Sequence, residues 1–148
     1  MLNETFIYFF ERDLNKLKEE LSAYGDEQKL WVVEKGISNS AGNLCLHLIG
    51  NLNHFIGATL GGTGYVRHRD NEFSDKNVPR AEMLTQVDAT LAMIKATLDQ
   101  LADADMAKDF PLQENFKGKN TAHVMVQLVA HLEYHLGQIN YHRRLIGN

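Results

Sequence analysis

The chain has 148 residues, 44% hydrophobic and 23% charged, with 15 basic against 19 acidic side chains and a net charge of −4. That is the length and balance of one globular domain, expected to span residues 1–148. The acidic balance and the short, scattered basic clusters exclude a nucleic-acid-binding surface, and no apolar run approaches the ~18 residues of a membrane span.

The first helix is predicted from about Asn3 to Tyr24, where Phe6, Phe10, Leu14, Leu17, Leu21 and Tyr24 recur at spacings of three and four. Gly25 stands where a C′ glycine would stop it. The apolar patch Phe6 to Phe10 has no basic stretch before it and is cut off by Glu11 and Arg12, so it does not read as a signal peptide. A soluble, cytoplasmic chain is expected. Trp31, in the connection that follows, is expected to cover the end of a helical bundle.

The second helix is predicted from about Ala41 to Leu60, capped by Ser38 or Ser40 and ended by Gly61-Gly62. A long connection, GGTGYVRHRDNEFSDKNV, separates it from the third helix; connections of this length are usually functional or disordered. The third helix begins near Pro79 with a core stripe of Leu84, Val87, Leu91, Ile94, Leu98 and Leu101. The fourth runs from about Thr121 to Ile146 after an Asn120/Thr121 cap. Four amphipathic helices with almost no strand signal predict an all-α four-helix bundle.

Seven histidines and one cysteine, Cys45, stand out. One cysteine excludes an intramolecular disulfide, a Cys₄ zinc ribbon and an iron–sulfur cluster. A metal here must be held by nitrogen and oxygen. At about 100° per residue, His131, Gln138, His135 and His142 share the apolar face of the fourth helix with Val124, Leu128, Ile139 and Ile146. On the second helix, His47, Asn51 and His54 share the apolar face with Leu44 and Phe55.

Burying several polar groups without partners costs a few kcal/mol each, so two helices that turn imidazoles inward need a common cause. His131 and His135, four residues apart, can reach one ion from adjacent turns, and a third nitrogen from the second helix completes an open three-ligand site. His47 and His54 both qualify as that third ligand. A zincin is excluded, because the stretch reads H-L-E-Y-H and Glu133 faces away. A ferritin-like site is excluded because no E-x-x-H occurs.

Elsewhere, Arg67, Arg69, Asp70 and Glu72 of the long connection are candidates for substrate contacts, the arginines for carboxylate or phosphate. The same residues fit a solvated loop with local ion pairs equally well. Cys45 lies opposite the histidine face and reads as buried and inert. Tyr134, Tyr141 and His142 read as packing residues, and His68 and His123 carry no assignment.

The stretches NLCLHLIGNLNHFIG and LVAHLEYHLGQINYHRRL together resemble the DinB-like superfamily of damage-inducible, YfiT-like metalloenzymes. The shared features are a histidine on the second helix and H-x-x-x-H-x-G-Q on the last, over the whole chain. The loop RHRDNEF resembles an uncharacterised subgroup. The resemblance implies a divalent metal, zinc or nickel, held by His47, His131 and His135, with Gln138 bracing the site. It also implies use of a low-molecular-weight thiol, such as bacillithiol or mycothiol, as co-substrate, and a homodimer.

The function expected is therefore a metal-dependent enzyme, S-transferase- or hydrolase-like, that activates a thiol or water against a small electrophile. The competing reading is a non-catalytic bundle with a structural metal or a ligand- or partner-binding role.

Overall fold

The computed structural model describes residues 1–148 and is all-helical, with six α-helices and no strand. They are α1 (Leu2–Ser22), α2 (Ala41–Leu52), α3 (Arg69–Ser74), α4 (Arg80–Leu98), α5 (Asp103–Met106) and α6 (Thr121–Ile146). A 3₁₀ turn over Glu27–Trp31 follows α1, and α2 continues into a π-helical turn over Asn53–Ala58. No helix is long and apolar enough to cross a membrane.

The caps follow the sequence. Ser40 Oγ accepts from Asn43 N at 3.2 Å, and Asn120 Oδ1 accepts from His123 N at 2.9 Å. Gly25 is not the stop of α1. The helix ends at Ser22 with Ala23 in a right-handed conformation, and Gly25 hydrogen-bonds across to Gly147 instead. Pro79 is the residue before α4 rather than its first turn. Trp31 packs on α2: its ring atoms come within 2.8 Å of where a Cβ on Gly42 would stand.

α1 packs against α4 and α6, and α2 packs against the same two. Side-chain pairs give the directions. Asn3 bonds the Leu98 carbonyl and Lys18 pairs with Asp88, so α1 and α4 are antiparallel. Arg12 pairs with Glu133 and Glu20 with Arg143, so α1 and α6 run parallel. Asn53 bonds Thr90 and Gly61 lies against Thr97, so α2 and α4 run parallel. α2 and α6 are then antiparallel.

Two parallel neighbours in sequence require a crossover that returns the full helix length, here about 27 Å for 18 residues. The long connection is therefore a topological necessity, and it carries α3 back onto α2.

The core holds 26 buried apolar residues, drawn from all four long helices, from Phe55 and Ile56 of the π-helical turn, and from Tyr24, Leu30, Met106 and Phe110 between the long helices. Cys45 is fully buried, and burial pushes its thiol up to about 12. On α4 the buried face is Met83, Val87, Thr90, Ile94, Thr97 and Leu98. Leu84, Leu91 and Leu101, expected in the core stripe, are half-buried flanks.

Candidate metal centre

His131 and His135 leave one face of α6 on successive turns, and α2 sends His47 into the same space. His131 Nε2 stands 3.2 Å from His47 Nε2 and 3.0 Å from His135 Nε2. One nitrogen from each ring lies within 4.8 Å of the others, so a single metal ion can be held by all three. His47 is buried, and the other two rings are half-buried. His54 lies outside this cluster, half-buried with its ring edge-on to Phe55 at 4.7 Å.

The outer ring nitrogens fix the tautomers. A carboxylate only accepts, so His47 Nδ1–H donates to Glu72 Oε1 at 2.9 Å and leaves a lone pair on Nε2. His135 Nδ1–H donates to Gln138 Oε1 at 2.7 Å, with the same result. Both lone pairs converge on His131, whose Nδ1 is buried without a partner.

Burial, reinforced by His135, His47 and Arg67, pushes His131 down to about 4. Burial lowers His135 as well, against an opposing pull from Gln138. These rings are neutral at neutral pH, and neutral imidazole is the donor that zinc, nickel, copper and iron accept. Converging lone pairs beside an orphaned ring nitrogen fit a cation among them better than they fit each other.

Glu72 is itself held in place. Arg67 Nε donates to Oε2 at 2.8 Å and Nη2 to Oε1 at 2.9 Å. Burial raises the Glu72 carboxyl, but the bonds from His47 and Arg67 outweigh it and keep it below its ordinary value. Asn43, in the first turn of α2, donates to the carbonyls of Glu72 at 3.0 Å and Asp75 at 2.8 Å, which ties α3 down. A Cβ on Gly50 would come within 1.9 Å of Glu72 Oε2. Only glycine leaves room for that carboxylate against the helix.

Of the four loop residues expected to meet substrate, Arg67 and Glu72 thus stand behind His47, and Arg69 and Asp70 are exposed on α3. The Arg69 guanidinium lies 5.2 Å over the Phe73 ring. His142 is a packing residue: Tyr24 O–H donates to its Nδ1 at 2.6 Å, and its Nε2–H donates to the Val32 carbonyl at 2.9 Å.

A cavity of about 1070 Å³ opens beside His135, between residues 29–39 of the α1–α2 connection and the second half of α6. Its lining includes Lys35, Leu44, Tyr134, Gln138 and Tyr141. Both tyrosines are 65% exposed, so they wall this opening rather than pack inside.

Asn43 and Gly50 were not visible as functional from spacing alone. The available signal was Asn43, His47 and Asn51 at i, i+4 and i+8, a polar file on an apolar face.

The sequence matches the family described as Protein of unknown function (DUF1572) over residues 4–148. Comparison with curated proteins and with solved structures finds no match.

Proposed function

The chain belongs to DUF1572, a DinB-like family, and we propose that it is a divalent-metal-dependent enzyme built on a four-helix bundle. His47, His131 and His135 would hold one cation, zinc or nickel, through their Nε2 atoms. The convergence of those three nitrogens within 4.8 Å carries this reading. When bound, the cation would supply Lewis-acid activation, lowering the pKa of a thiol or water so that it is a nucleophile at neutral pH.

The chain's own residues supply orientation and access. Glu72 and Gln138 hold the His47 and His135 rings with their outer nitrogens protonated, which leaves the inner nitrogens free to ligate. The cavity beside His135 has room for a small electrophile and a low-molecular-weight thiol. A thiol must come from a co-substrate, because Cys45 is fully buried and its thiol is held protonated. Arg69 and Asp70, exposed on α3, remain available to a substrate.

The test is metal content by elemental analysis of untagged protein, wild type and His135→Ala, after supply of zinc and nickel. One ion per chain in the wild type and loss in the variant is expected. A wild type that takes up neither ion overturns the proposal. Thiol-transfer and hydrolysis assays of the loaded protein then separate an enzyme from a binding protein.

A further inference from the structure

Two buried side-chain polar atoms lack a hydrogen-bond partner: His131 Nδ1 and Asn51 Oδ1. Each such atom costs about 1–3 kcal/mol, so the pair calls for a physical cause. Asn51 is 7% exposed and lies one turn beyond His47 on α2. His131 meets His47 across the same α2–α6 interface. The two orphans therefore stand at the same candidate centre, one on a ring of the centre itself and the other one turn along α2 from its neighbour His47.

Their chemistry is complementary. His47 and His135 each have a partner for the outer nitrogen, Glu72 and Gln138. His131 has none. If its Nε2 ligates through a lone pair, its proton must sit on Nδ1 and needs an acceptor. The amide oxygen of Asn51 is a buried acceptor with nothing to accept.

We infer that Asn51 is the positioning residue for His131, its Oδ1 accepting from His131 Nδ1–H directly or across one buried water when the centre is loaded. This rests on the metal reading above. It completes a set in which every ring of the centre is oriented by a different side chain: a carboxylate, a glutamine and an asparagine.

The experiment compares wild type, Asn51→Leu and Asn51→Asp as full chains, measuring zinc Kd by chelator competition and the melting temperature of the zinc-free proteins. Leucine removes an unpaired polar group, so zinc-free Asn51→Leu should melt at or above wild type. Its zinc affinity should fall about 10–100-fold. Asn51→Asp keeps an acceptor and should bind within about threefold of wild type.

Unchanged zinc affinity in Asn51→Leu overturns the inference while leaving the metal site intact. A zinc-free Asn51→Leu that folds but melts well below wild type, with Asn51→Ala doing the same, assigns Asn51 a structural role and also overturns the inference. Should that variant fail to fold, Asn51→Ala carries the same comparison. A wild type that binds no zinc overturns both this inference and the reading beneath it, so the two failures are distinguishable.

Discussion

The Glu72 carboxylate fills the space beside α2 that any side chain at Gly50 would need: its Oε2 lies 1.9 Å from an ideal Cβ there. The absence of a side chain at position 50 is what lets a residue of the crossover reach His47 Nδ1. Gly50→Ala should gain about 1 kcal/mol of helix propensity and expel the carboxylate from its place. The expected result is a lower melting temperature, because His47 and Arg67 lose a buried acceptor at about 1–3 kcal/mol for each orphaned group, together with zinc affinity lowered about 10–100-fold, read by chelator competition. Normal zinc affinity in this variant would show that Glu72 does not orient His47.

Inward histidines are not interchangeable. His142→Phe should retain full metal and lose stability, at about 1–3 kcal/mol for each group it orphans, the Tyr24 hydroxyl and the Val32 carbonyl. His54→Ala should also retain full metal, because its ring stands outside the cluster. Elemental analysis beside urea denaturation checks both, and metal loss in either variant would move the centre.

The contrast among these histidines shows what a sequence reveals and what it hides. Helical phase put His47, His54, His131, His135 and His142 on inward faces, since phase depends only on local geometry. Phase alone could not choose between His47 and His54, because that depends on how far α2 slides along α6. The same limit hid Glu72. Its role follows from α2 and α4 running parallel, which forces the crossover back over His47, and no local periodicity encodes helix direction. On α4, leucine spacing found Val87, Ile94 and Leu98 on the buried face but not Thr90 and Thr97. Thr90 is buried there with its hydroxyl donating to the Gln86 carbonyl at 2.8 Å and accepting from Asn53 at 2.9 Å. A threonine so satisfied buries at little cost, and a purely apolar stripe overlooks it.

Acid sensitivity should trace in part to Glu20. It is 3% exposed, accepts from Asn140 at 2.7 Å and pairs with Arg143 at 2.5 Å. Burial alone would raise its carboxyl, but those bonds outweigh it and hold the group below its ordinary 4.5. A carboxyl lowered on folding contributes stability that is complete above the unfolded value and is lost as pH falls through the folded one. Wild-type stability should thus decline below pH 4.5, with this group adding at most about 1.4 kcal/mol per pH unit. Glu20→Gln should be less stable at pH 7 and show a shallower acid slope in denaturant titrations. An equal slope would exclude Glu20 as a contributor.

Metal removal should leave the helices standing. The core is a cluster of 26 buried apolar residues, most of them on the four long helices, and it is built without any of the three imidazoles. Zinc-free protein should therefore keep its helical circular dichroism and melt cooperatively. Saturating zinc should raise the midpoint, because a ligand at a thousand times its Kd adds about 4 kcal/mol to the folded state. A structural metal would behave differently: chelation would collapse the helical signal, and each single histidine-to-alanine variant would fail to fold. Helix retained without metal, together with a midpoint that rises on adding it back, is the pattern of a removable ion in a preformed site, as an enzyme requires.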